Sequence, residues 1–252
     1  DCVLHNKKGR DDQIQNICTT LENMGRVGIP ILGYCFSIVS VWGHWRTYTS
    51  GGGRGNAGVK SFDYDLVKDA PVVETGPVSL EEMWNRFSYF LEHIVPAAEN
   101  AGVKLAAHQD DPPADELRGT GRLLTSHGAM KKLIEIVPSP YNGLEFCQGT
   151  VAEMGPERAI DAVRYFGGLK KIFYVHFRNI RGQFPKFDEV FIDEGDVDMF
   201  EAMRAYKEVG FDGVMIPDHS PRVVGETGYH HRGIAFSLGY MKALMQVVDQ
   251  IS

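Results

Sequence analysis

The chain has 252 residues, of which 43% are hydrophobic and 23% charged, with a formal net charge of −7 at pH 7. That length is enough for one large domain or two small ones with a sizeable core, and the acidic balance argues against nucleic acid as the main partner, because a phosphate binder usually carries a basic patch or stripe. No run of about 18 apolar residues is present to span a membrane, and four irregularly spaced cysteines without a CxxC (Cys2, Cys18, Cys35, Cys147) argue against a disulfide framework or zinc ribbon and fit a reducing cytoplasm.

Ile14, Ile17, Cys18, Leu21 and Met24 recur at helical spacing and predict a helix over 11–25. The apolar run 28–36 reads as a buried strand. A polar stretch follows from Ser50 to about Pro77. Its glycine-rich loop, near 50–58, predicts a mobile lid or poorly ordered excursion, and no Gly-Lys-Ser/Thr follows to make it a phosphate loop. Ser79-Leu80-Glu81-Glu82 is a capping box. It opens a helix that turns Met83, Phe87, Phe90, Leu91 and Ile94 inward and that Pro96 is expected to end or kink. Strands are then predicted at 102–108, 143–147, 171–176 and 213–217. Between and after them come helices near 126–137, 156–166, 198–209 and 233–248. Pro156 suits a first helical position, Asp198 an N-cap, and Gly210 the place just past a helix end. Such alternation predicts a parallel sheet with helices on its outside, and no second domain separates from it over 1–252.

Four of these strands end in residues that bind metals. His108 ends the second, Cys147 the third, His176 the fourth, and Asp218 follows the fifth. The intervals of 39, 29 and 42 residues each equal about one β/α unit, so the four positions are equivalent and meet at one mouth of a barrel. A single strand-end His is ordinarily a hydrogen-bonded structural residue, and a single Cys in an apolar strand an ordinary core residue. Four at one relative position argue for a metal site. Two imidazoles, a thiolate and a carboxylate suit a borderline divalent ion such as Zn, Fe, Mn or Co. His219 beside Asp218 is a candidate general base. Tyr229, in a glycine-containing loop, is a candidate proton donor. Arg178 and Asn179 are candidates for binding an anionic substrate, and Trp42 lies where it can line the site or pack beneath the glycine-rich loop.

These motifs resemble the mannonate dehydratase family. The resemblance lies in His108-Gln109-Asp110-Asp111-Pro112-Pro113, Gly143-Leu144-Glu145-Phe146-Cys147-Gln148-Gly149, Val175-His176-Phe177-Arg178-Asn179 and Pro217-Asp218-His219, with weaker similarity from His5 onward. It implies a TIM barrel, (β/α)8, that uses a divalent metal, Mn2+ ahead of Fe2+, to convert D-mannonate to 2-keto-3-deoxy-D-gluconate and water. By resemblance His108, Cys147, His176 and Asp218 are the metal ligands. His219 and Tyr229 are the acid/base pair, and Arg178, Asn179, His5 and Trp42 are the substrate contacts. Gln109 stands where the family has Pro, and Ser220 where it has Gly. Five strand runs are counted here against the eight of a closed barrel. The expectation is therefore a barrel that lacks its N-terminal β/α units in this numbering. Barrel enzymes of this kind often form dimers or larger symmetric assemblies, so a homo-oligomer is expected.

Three rivals compete with this reading. A sugar isomerase or epimerase of the xylose isomerase-like group uses more carboxylates and no Cys, so Cys147 discriminates against it. A barrel phosphodiesterase calls for a basic face, which the net charge opposes. A non-catalytic sugar-acid binder has no need of the combined set His108, Cys147, His176, Asp218, His219 and Tyr229.

Overall fold

The helical stripe read over 11–25 forms α1 (Arg10–Arg26), with Ile14 and Leu21 buried. The structure is a computed structural model that describes residues 1–47, 53–228 and 230–251; Gly51, Gly52 and Tyr229 lie outside the described residues. After α1 come β1 (Ile31–Tyr34), β2 (Trp45–Thr47), β3 (Val59–Asp63), α2 (Leu80–Ala101), β4 (Lys104–His108), and the short β5 (Glu116–Leu117) and β6 (Thr120–Gly121). Next are α3 (His127–Ile136), β7 (Asn142–Cys147), α4 (Gln148–Glu153), α5 (Pro156–Gly168) and β8 (Ile172–His176). The chain continues through β9 (Arg181–Gln183), β10 (Lys186–Glu189), α6 (Met199–Glu208), β11 (Val214–Ile216) and α7 (His231–Gln250). Every strand and helix predicted from the sequence has a counterpart, within a few residues at each end. The residues sort into two compact units, the first comprising Asp1–Val41, Lys68–Phe146 and Lys170–Tyr174, the second the remainder.

In the first unit, β1, β4, β7 and the start of β8 lie side by side and parallel. Ile31 pairs with Lys104, Leu105 pairs with Asn142, and Leu144 N donates to Lys171 O at 2.8 Å. Five of the six residues of β7 are buried, as expected of an inner strand covered on both faces. Ser79 Oγ accepts from Glu82 N at 3.2 Å and caps α2, and Met83, Phe87, Phe90, Leu91 and Ile94 form its buried face. Pro96 does not end this helix, which runs on to Ala101. The proline forfeits one main-chain bond, but Val95 and Ala98 beside it are buried and hold the next turn in place.

In the second unit the end of β8 lies beside β11, with Phe177 N donating to Ile216 O at 2.7 Å. Helices α4, α5, α6 and α7 pack in succession. Asp198 caps α6 by accepting from Phe200 N and Glu201 N, both at 3.0 Å.

The polar stretch continues past the glycine-rich loop, of which residues 50–52 lie outside the described residues. Within it β3 joins an antiparallel sheet of order β2-β3-β10-β9, with Lys60 opposite Glu189 and Phe62 opposite Phe187. Val59 and Phe62 are fully buried, and Phe62 stacks on Phe187 at 5.3 Å between ring centroids. This strand is only five residues long and does not alternate strictly, and its partner lies more than a hundred residues along the chain. Neither feature rises above the surrounding polar texture. No helix among the described residues is long and apolar enough to cross a membrane.

Candidate active site

The second unit gathers three strand ends around one buried cation. Cys147 ends β7 and leads straight into α4, His176 ends β8, and Asp218 follows β11 with a left-handed φ of 63°. Asp is among the few residues besides glycine that adopt this conformation readily. The Cys147 Sγ and a ring nitrogen of His176 lie within 4.8 Å of each other, and Asp218 Oδ1 is 3.7 Å from His176 Nδ1. A thiolate, an imidazole and a carboxylate in this proximity make a donor set that fits a borderline divalent metal ion.

Arg178, two residues past β8, is 2% exposed. Its guanidinium reaches Glu189 Oε1 at 2.6 Å, Glu153 Oε1 at 3.0 Å, Thr150 Oγ1 at 3.1 Å, Asp218 Oδ2 at 3.5 Å and Cys147 Sγ at 3.6 Å. Glu153 and Glu189 are themselves buried. A buried Arg with two buried carboxylates is stable only when every charge is paired, and the five-donor guanidinium makes that possible here. Burial alone drives the Glu189 carboxyl upward. Arg178, then His219 and Lys60, outweigh that and hold it down at about 2.

His219 sits on the more open side of this cluster, its side chain 30% exposed. Its Nδ1 is 2.9 Å from Glu189 Oε2. Around Nε2 lie Lys60 Nζ at 3.2 Å, Asp218 Oδ2 at 3.3 Å and Arg178 Nη1 at 3.5 Å. An ionised Glu189 at Nδ1 favours the tautomer with hydrogen on Nδ1 and a lone pair on Nε2, the arrangement a general base requires.

The other residues singled out from the sequence fall elsewhere. Asn179 is buried and pins a loop: its Nδ2 donates to Ile192 O and Val197 O, and its Oδ1 accepts from Ile180 N and Val197 N, all within 3.0–3.1 Å. Trp42 is half-buried in the second unit. His108 and His5 belong to the first unit. His108 ends β4 and lines a cavity of about 110 Å³ together with Phe36, Asp110 and Arg122, among others. Its Nδ1 is 2.6 Å from Gln109 O. His5 is 3.2 Å from Asp1 Oδ1, and burial, followed by Lys7, Arg86 and the N-terminus, holds its pKa below the usual value.

Glu153, Glu189, Thr150 and Lys60 were not foreseen from sequence. All six residues of α4 are buried, so it carries no two-sided pattern. Val59-Lys60-Ser61-Phe62 and Lys186-Phe187-Asp188-Glu189 do not alternate strictly between apolar and polar residues, so the sequence carries no clear signal for the other two. Gly149 in α4 is also explained: a Cβ there would collide with Arg178 Nε. Gly149→Ala is therefore expected to displace the guanidinium and lower the melting temperature by several degrees, corresponding to roughly 1–3 kcal/mol of overpacking. Thermal unfolding of the variant beside the parent chain measures this.

The D-mannonate dehydratase (UxuA) family model matches residues 1–252. The chain belongs to that family. A mannonate dehydratase of Thermotoga petrophila is 26% identical over 279 residues, covering 96% of this chain and 77% of that protein. The crystal structure of mannonate dehydratase from Streptococcus suis serotype 2 superimposes with a TM-score of 0.88 at 27% identity, over 99% of this chain and 74% of that one. A D-tagatose 3-epimerase-like protein shares the fold, with a TM-score of 0.60 at 16% identity over 96% and 71% of the two chains. The fold is thus the TIM-barrel type α/β fold that the family resemblance implied.

Proposed function

We propose that this chain is a hydro-lyase that dehydrates a sugar acid, D-mannonate, to 2-keto-3-deoxy-D-gluconate and water, residues 1–252 acting as one catalytic domain. The observation that carries this reading is the family match across all 252 residues. The second unit's Cys147, His176, Asp218 and His219 support it, standing at the strand ends where such a family places its chemistry.

A divalent metal is assigned to His108, Cys147, His176 and Asp218, Mn2+ ahead of Fe2+. For His108 the ligating atom is Nε2, since Nδ1 engages Gln109 O and a ligating His ordinarily anchors its other nitrogen this way. When bound, the metal supplies Lewis-acid polarisation of the substrate carboxylate and neighbouring hydroxyl. His219 Nε2 removes the C2 proton, and Tyr229 protonates the departing C3 hydroxyl, which leaves as water. The enol that results ketonises. Glu189 holds the tautomer of His219, Arg178 neutralises the buried carboxylates beneath it, and Asn179 fixes the loop that follows. His5 and Trp42 are kept as proposed substrate contacts. The four cysteines, with Cys147 required as a thiolate, support a reducing compartment such as the cytoplasm. A dimer or larger homo-oligomer is the proposed assembly.

The test strips the protein of metal, reloads it with Mn2+ and measures keto-deoxy product from D-mannonate and related aldonates. Metal-dependent product from D-mannonate is the expected result. No dehydration of any aldonate by protein with tightly bound metal would transfer the assignment to an isomerase or epimerase.

A further inference from the structure

The substrate is an anion, and the cluster that must receive it already holds three carboxylates, Glu153, Glu189 and Asp218. Beside the divalent ion assigned to Asp218 and its fellow ligands, the protein sets two cationic side chains against these, Arg178 and Lys60. Arg178 is spent on the carboxylates and is 2% exposed. Lys60 differs in each respect. Its side chain is 31% exposed, and its nearest acid contact, Glu189 Oε2 at 3.7 Å, is the longest that Glu189 makes to its three basic neighbours. The β3–β10 register sets Lys60 directly opposite Glu189, so the sheet delivers the ammonium to the open side of His219, 3.2 Å from Nε2.

We propose that Lys60 binds the carboxylate of the sugar acid and stabilises the charge that develops on it. The inference rests on the dehydratase reading and on His219 as base. The C1 carboxylate is one bond from C2, so a cation beside Nε2 lies within reach of that carboxylate when C2–H points at Nε2. In the step itself the C2–H bond breaks, the proton passes to Nε2, and the electron pair moves toward C1, giving the carboxylate enediolate character. Expulsion of the C3 hydroxyl, protonated to water, then returns the pair to form the C2–C3 enol. Negative charge at C1 is greatest between these two events, and a cation fixed there favours the transition state over the ground state. Before substrate arrives, the same ammonium donates to Nε2 and covers the lone pair. An incoming carboxylate draws it away and uncovers the base.

The test compares the metal-loaded parent chain with K60Q and K60R. It measures D-mannonate turnover, metal content, thermal unfolding, and calorimetric binding of a 3-deoxy aldonate, which has no C3 hydroxyl to lose. In K60Q we expect Kd for the 3-deoxy aldonate to rise at least tenfold and kcat/KM to fall at least a hundredfold, with metal content unchanged. K60R, which keeps the charge, is expected to retain binding within fivefold of the parent. A K60Q protein whose Kd stays within twofold and whose turnover stays within threefold would overturn the assignment. If K60Q does not fold, K60M decides on the same Kd: a rise of at least tenfold supports the assignment, and a Kd within twofold of the parent overturns it. Absence of turnover in the parent chain would instead remove the dehydratase reading, so the two failures are distinguishable.

Discussion

Cys147→Ala is expected to lower metal affinity by more than about a hundredfold, the upper range for losing an outer-shell partner and hence a floor for losing a ligand. Dehydration is expected to fall by about a thousandfold or more, because Lewis-acid stabilisation is worth several kcal/mol and each 1.4 kcal/mol is a factor of ten. Cys147 is fully buried, so the substitution removes one sulfur atom from a packed site and leaves the chain folded. Metal analysis of the purified variant, with turnover on the same preparation, checks the claim. A variant that keeps both would make Cys147 an ordinary core residue, as solitary buried cysteines commonly are.

Arg178→Met is expected to cost about 3–5 kcal/mol of stability at neutral pH, because it leaves the buried Glu153 and Glu189 without their guanidinium. For a chain of this size that corresponds to a fall of roughly 10 °C in Tm. The pH dependence follows from Glu189. Its folded pKa of about 2 lies below its ordinary value of 4.5. The stability it contributes is therefore complete above about pH 4.5 and is lost as the pH falls through about 2. Without Arg178 the orphaned carboxylates take up protons more readily, so the gap between variant and parent should narrow as the pH drops from 7 toward 4. Denaturant unfolding at pH 7, 5 and 4 measures that gap. A gap independent of pH would mean that lost packing, and not unpaired charge, accounts for the cost.

The residues that resemble a known family and the residues that complete the site differ in how they appear along the chain. His108, Cys147, His176 and Asp218 each close a short apolar run, at intervals of about one β/α unit. That periodicity is a local property of the chain, so the parallel strands, their order and the donor types at their ends are legible without coordinates. The caps at Ser79 and Asp198 are legible for the same reason: a side chain three or fewer residues away supplies the bond. That the helix runs on past Pro96 is not legible in the same way, because the buried face around the proline outweighs one missing hydrogen bond.

The sequence by itself determined the parallel α/β class, the succession of strands and helices, and the run of donor residues at strand ends. Tertiary structure alone decided that 59–63 is a strand, that Lys60 faces Glu189 across the β3–β10 pair, and that Arg178 is enclosed by Glu153 and Glu189. The first set follows from patterns within one β/α unit. The second depends on pairings between residues 25 to about 130 positions apart, and the cost of burying their charges is met only once the chain has brought those residues together.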